Sequence, residues 1–253
     1  MMTVKDFIRM LKKAEQSDTL YVLGCFGAPM SEKNKVRYTN NNSFNKERSY
    51  MINATTGNTF GFDCVCLIKG ILWGWNADNT KTYGGASYAS NGIPDISADG
   101  MFTRRYVNGI SRDFNQIKPG AVLHMPGHVG VYIGAGQVIE CTPKWKNRVQ
   151  ITYLGNLPQY KTGNYRIWTE YGYLPCVDYS EEVKEAPVKE KVEPIKKATY
   201  HTVEPGDNLT KIARHYYPNV DVNMTIARIV DINKKTYPRI TKNYICIGWK
   251  LEV

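Results

Sequence analysis

Val4, Phe7, Ile8 and Leu11 recur among Lys and Glu at the spacing of one helix face. That pattern predicts an amphipathic helix over residues 3–17, with Thr3 as N-cap and Asp6 in the first turn. Residues 19–24 form a short β-like run ending in Gly24. Residues 27–60 are polar without a sustained period and read as a long loop with one helical turn. Residues 61–73, from Gly61 to Trp73, then switch to an apolar run suited to a buried helix. After loop-like residues 76–100, which carry turn signals, a second helix is expected over 97–108. Beyond Lys118-Pro119-Gly120 the period becomes two. Strands are expected over 121–125, 128–134, 137–141, 148–152 and 165–168, with Ala135-Gly136 as a hairpin turn. A helical part followed by antiparallel strands predicts an α+β fold.

The pattern stops at residues 180–199. Interleaved Lys, Glu and Pro, with no aromatic residue and no glycine, read as a solvated linker. Residues 200–253 return to order as a small βααβ unit. A strand at Tyr200 to Val203 and a Glu204-Pro205-Gly206-Asp207 turn lead to helices over 210–216 and 225–233 and a closing strand. So thin a core suits binding better than catalysis. The domain reading is therefore 1–179, a linker at 180–199, and 200–253.

Composition narrows the classes. The 253 residues carry 42% hydrophobic and 22% charged residues, ordinary for a globular protein. Six scattered cysteines do not make a disulfide framework, and four histidines supply no recognisable zinc set, so neither metal nor cofactor is expected. The net charge of +10 points to an anionic partner. With no Lys/Arg block, nucleic acid is not expected; with no long apolar run, neither is membrane insertion. The N-terminal segment lacks an apolar core and cleavage site, so synthesis in the cytoplasm without a signal peptide is expected.

Candidate chemistry sits at Asp63-Cys64. A cysteine in the first turn of a helix meets unpaired N–H groups that favour thiolate, so a lowered pKa is expected and Cys64 is the candidate nucleophile. The bland alternative is a core cysteine, the usual fate of a free thiol. Cys66 lies two residues on and points away from Cys64. His128 opens one strand and Glu140 nears the end of the next. Both lie six residues from Gly134, so simple hairpin pairing would bring them together as base and orienting group. A solvated strand end and an edge charge are the alternatives. Gln137 and Cys141 turn to the other face.

At these residues the chain resembles the NlpC-type family of bacterial cell-wall cysteine peptidases, phage endolysins among them, which share a papain-like core. Residues 19–170 carry the likeness. Tyr21-Val22-Leu23-Gly24, Asp63-Cys64-Val65-Cys66-Leu67 and His128-Val129-Gly130-Val131-Tyr132-Ile133-Gly134 follow the family's motifs, although Val65 and Cys66 replace its usual Ser-Gly. The resemblance implies Cys64 as nucleophile, His128 as base, Glu140 at the third polar position, Tyr21 and Asp63 at the substrate, and a stem-peptide amide of peptidoglycan as target. A muramoyl–alanine amide is the variant.

Residues 200–253 resemble a LysM module through Tyr200, Val203, Gly206, Asp207, Leu209, Ile212-Ala213, Asn233, Gly248 and Leu251. The resemblance implies a shallow groove for N-acetylglucosamine chains at Gly206, Asp207, Asn208, Leu209, Ile232 and Asn233. Together the two likenesses imply a wall hydrolase tethered to glycan that acts at the wall after release. A non-catalytic wall-binding protein is the rival.

Overall fold

The computed structural model describes residues 1–103, 106–161, 163–180, 200–217 and 222–253. The chain divides into two compact units, Met1–Ala186 and Pro187–Val253. The expected linker at 180–199 falls, except for Ser180, outside the described residues.

In the first unit β1 (Met2–Thr3) runs into α1 (Val4–Gln16). Thr3 caps that helix by accepting from the Asp6 N–H, and its apolar face buries Phe7, Leu11 and Ala14. Then come β2 (Thr19–Tyr21), β3 (Phe26–Pro29), α2 (Glu32–Asn41), α3 (Ser43–Glu47), α4 (Ser49–Asn53) and β4 (Phe60–Phe62). Three short helices thus stand where the polar composition predicted a loop. Ser31 and Asn42 cap two of them. Asn45 is buried, donates to the Leu23 and Tyr38 carbonyls, and accepts from the Leu23 N–H. Tyr38 of α2 and Ile52 of α4 join a small apolar cluster with Val22, Ala28 and Met30, and buried amides supply much of the rest, so no sustained hydrophobic period marks these helices.

α5 (Cys64–Leu72) is buried along its whole length, as its apolar sequence demands. α6 (Ala98–Thr103) is shorter than the expected helix, and its continuation is an unanticipated strand, β5 (Asn108–Ser111). The main sheet adds β6 (Val122–Met125), β7 (His128–Gly134), β8 (Gln137–Thr142), β9 (Arg148–Leu154), β10 (Tyr165–Arg166) and β11 (Glu170–Tyr173). Its order is β10-β9-β8-β7-β6-β11-β5, antiparallel except for the β10–β9 edge pair. β12 (Val177–Asp178) pairs with β1. Alternation divides the sheet's side chains. Val129, Val131, Ile139 and Cys141 join the core built with α1 and α5, while Leu123, Tyr132, Val138 and Trp168 form a second cluster.

In the second unit β13 (Tyr200–Thr202) pairs antiparallel with β14 (Lys250–Glu252), and α7 (Leu209–Tyr216) and α8 (Val222–Asn233) pack with them around Ile212, Ile229, Ile240 and Leu251. This is the βααβ order read from the sequence.

Candidate active site

Asp63 caps α5 with both carboxylate oxygens in use: Oδ1 accepts from the Cys66 N–H at 2.6 Å and Oδ2 from the Gly24 N–H at 2.8 Å. That leaves it an architectural task rather than a free substrate ligand, although it also lines a cavity of about 380 Å3 with Cys66, Lys69, Tyr88 and Asp95. Cys64 does not line that cavity. Its sulfur faces the backbone N–H groups of Cys64 itself, Val65 and Val129. Tyr21 is half-buried close enough to Cys64 for their charges to interact, with its ring edge-on to Phe44 at 5.8 Å.

The thiol does not behave as its helix position alone suggests. Burial, reinforced by the Asp63 charge, pushes Cys64 up to about 12, and the facing N–H groups recover only part of that. The expected lowering is corrected on this point: helix N–H groups favour thiolate, but removal from water opposes it more strongly. Asp63→Asn removes the adjacent charge and can keep the cap bond from the Cys66 N–H through its one oxygen, at the cost of the bond from the Gly24 N–H. Iodoacetamide alkylation of Cys64, followed by peptide mass, should then be faster near neutral pH than in the native chain. An unchanged rate would show that the Asp63 charge does not govern this thiol.

The hairpin pairing is subtler than simple symmetry predicts. Val131 pairs with Ile139 and Tyr132 with Val138, and the register shifts before Gly134. Continuing this register sets Glu140 opposite Gly130, so His128 and Glu140 are diagonal neighbours on one face. They still meet, His128 Nε2 lying 2.6 Å from Glu140 Oε2, because Gly130 puts no side chain between them. Its lack of a Cβ also admits Trp168, whose ring stacks on His128 at 5.6 Å and 14°.

Glu140 is fully buried and saturated with donors. Oε1 accepts from Thr152 Oγ1 at 2.6 Å, and Oε2 accepts from Arg166 Nε at 2.6 Å. Burial pushes its carboxyl up, yet the His128 hydrogen bond, the His128 and Arg166 charges and Thr152 outweigh that and hold it below the usual carboxylate value. An ionised carboxylate only accepts, so His128 carries its proton on Nε2. In the neutral ring Nδ1 keeps a lone pair, and no hydrogen bond engages it among the described residues. His124 is the contrast: Nδ1 lies 3.2 Å from Glu170 Oε1 and Nε2 2.9 Å from Asp99 Oδ1, so both nitrogens are occupied.

Cys64 approaches this pair from the α5 side at the start of β7. The Val129 N–H facing its sulfur belongs to the residue after His128. No hydrogen bond joins Cys64 to His128 among the described residues. The sequence reading missed Arg166, Thr152 and Trp168. Alternation could have placed Arg166 and Trp168 on one face, but not beside Glu140.

In the second unit Gly206 takes a positive φ of 89°, which glycine adopts without strain, and shapes the turn before α7. Asp207 Oδ2 accepts from the Glu204 N–H at 2.9 Å and lies 2.7 Å from His201 Nε2. Asn208 caps α7, accepting from the Lys211 N–H. Leu209 is buried in the core, whereas Ile232 is exposed. Asn233 is buried, donating to the Ile229 and Glu252 carbonyls and accepting from the Glu252 N–H, so its side chain ties α8 to β14. Unforeseen was an aromatic group in the last loop, Tyr237 stacked on Trp249 at 4.4 Å with Tyr244 edge-on.

Among the described residues no helix is long and apolar enough to cross a membrane. No curated protein matches the chain. Residues 201–253 match the model of the LysM domain family, which supports a peptidoglycan-binding module in the second unit.

Proposed function

We propose that the chain is a peptidoglycan hydrolase, with an NlpC-type, papain-like cysteine peptidase in residues 1–179 and a LysM anchor in residues 200–253. The observation that carries this reading is His128, bound through Nε2 to an ionised Glu140, with no hydrogen bond on Nδ1 among the described residues and with the next residue's N–H, that of Val129, facing the Cys64 sulfur. The net charge of +10 favours attraction to an anionic wall.

The chemistry is acyl transfer in two halves. His128 Nδ1 takes the thiol proton as the Cys64 sulfur bonds to the amide carbon. N–H groups at the start of α5 stabilise the oxyanion. The imidazolium then protonates the departing amine, the C–N bond breaks, and a thioester remains. His128 next draws a proton from water, which attacks the thioester, releasing a carboxylic acid and restoring the thiol. With the thiol held up by burial, this proton transfer accompanies attack rather than preceding it.

That same buried thiol favours a second reading, a wall-binding protein without catalysis. Digestion of purified cell walls by the native chain and by Cys64→Ala separates the two. The expected result is release of amino groups by the native chain alone, with both proteins still bound to the wall. New amino termini inside the stem peptide identify an endopeptidase; termini on L-alanine with free muramic acid identify an amidase. Binding by both with release by neither, on several wall chemistries, overturns the catalytic reading.

A further inference from the structure

Glu140 does not serve His128 alone. The oxygen that meets His128 Nε2, Oε2, also accepts from Arg166 Nε, each at 2.6 Å. The second arm of the guanidinium, Nη2, donates to Thr142 Oγ1 at 2.9 Å, so the fork is fixed at two points on β8. The outer face of Arg166 lies on the Trp145 ring at 4.8 Å, which fixes the guanidinium from a third direction. Glu140 Oε1 is occupied by Thr152. The carboxylate therefore has no freedom to rotate away from His128.

We propose that Arg166 is a positioning residue for the Cys64–His128 reaction, clamping Glu140 against His128 while neutralising part of the charge that His128 feels. This rests on the catalytic reading above and adds to it a residue absent from the sequence motifs. The physical consequence runs two ways. The clamp fixes the imidazole with Nδ1 available as base. The guanidinium also shares the oxygen that meets His128, so turning the carboxylate away from Nε2 would break the Arg166 contact as well. A base gains by this, because its proton-accepting nitrogen keeps one tautomer and one direction.

The charged and titratable groups that bear on this arrangement come from every neighbouring element. They are Arg166 on β10, Glu140 and the buried Cys141 thiol on β8, Lys144 over Trp145 in the β8–β9 loop, and Cys64 with Asp63 at the start of α5. Of these, Arg166 alone is a cation in direct contact with the carboxylate that holds His128.

The test uses the full chain in native form and as Arg166→Gln and Arg166→Lys, with Thr152→Val as a control that loosens Glu140 without removing a charge. Wall hydrolysis is followed across pH by released amino groups, and folding by thermal melting. Arg166→Gln should lower kcat/KM by about 100-fold through misplacement of the base. It should also loosen the His128 Nε2–H contact, seen in NMR as loss of the native ring N–H signal of His128. Arg166→Lys should keep that signal, because a cationic donor to the carboxylate survives, while part of the rate is lost with the fork. Thr152→Val should lower the rate and keep the signal. The NMR signal is read without turnover, and keeps the test alive for a variant too slow to assay. If the native chain hydrolyses walls through Cys64 and Arg166→Gln keeps both the native rate and the native His128 signal, the proposal is overturned and the catalytic reading stands. If the native chain shows no Cys64-dependent release, both fall.

Discussion

Glu140→Gln should all but abolish wall hydrolysis and visibly destabilise the first unit. A carboxylate presents two oxygens to three donors: Thr152 Oγ1, His128 Nε2 and Arg166 Nε. A glutamine presents one oxygen: toward Thr152 it turns its NH2 group on both other donors, and toward His128 and Arg166 it donates to the Thr152 hydroxyl but offers those two no charge. If His128 responds by moving its proton to Nδ1, it can no longer take the proton of Cys64. A wrong tautomer of this kind costs on the order of 10^4 in turnover in the Ser-His-Asp case. Arg166 would at the same time become a mostly buried cation without its counter-ion, and breaking such a pair costs about 3–5 kcal/mol. The deficit should depend on pH with a definite sign. The Glu140 carboxyl is held below its ordinary value, so its ionised contacts stabilise the native chain above that ordinary value and lose their effect as pH falls through the lowered one. The gap in denaturant midpoint between native and variant should therefore be widest near neutrality and narrow toward acid. A variant as active as the native chain would remove Glu140 from the site.

Gly130→Ala is expected to be the next most damaging single change, because the methyl group would enter the space across which His128 meets Glu140 and on which Trp168 packs. A Cβ at Gly130 would lie 2.9 Å from Val138 Cγ1 and 3.0 Å from Trp168 Cη2. Something must shift, and Trp168 is the ring on which His128 stacks. Overpacking of this kind costs about 1–3 kcal/mol, and displacement of the base by a fraction of an ångström to an ångström costs about 100-fold in rate. Trp168→Phe in the same chain supplies the check, because phenylalanine lacks the far indole edge that the new methyl would meet. The double variant should recover a large part of the lost rate, measured as amino groups released from walls. If the double variant is no better than Gly130→Ala alone, the damage comes from Val138 or the strand backbone, and Trp168 is not the platform for His128.

The parts of the fold legible in the sequence were those with strong periodicity and local chemistry. The α1 face, the Thr3 and Asp63 caps, and the β7–β8 hairpin follow from side-chain spacing within a few residues. The three helices between Pro29 and Phe60 were not legible. They are anchored by Asn34 and Asn45, whose buried amides satisfy backbone carbonyls, and an asparagine in a sequence looks the same whether it is buried or solvated. Their return to Tyr21 through Phe44 is a long-range contact with no local signal.

The site divides along the same line. Residue types and hairpin spacing named His128 and Glu140 as a pair, and the helix start named Cys64, because each of these rests on neighbours close in sequence. Tertiary structure alone decided what those groups can do. It set the register that makes the pair diagonal across Gly130 and brought Arg166 from the sheet edge and Trp168 from beyond it. It also buried Cys64 deeply enough to reverse the pKa shift its helix position implied. The physical reason is that a hydrogen-bonding pattern within an element is fixed by residues a few positions apart. Burial and charge at a point in space are sums over every element that packs there.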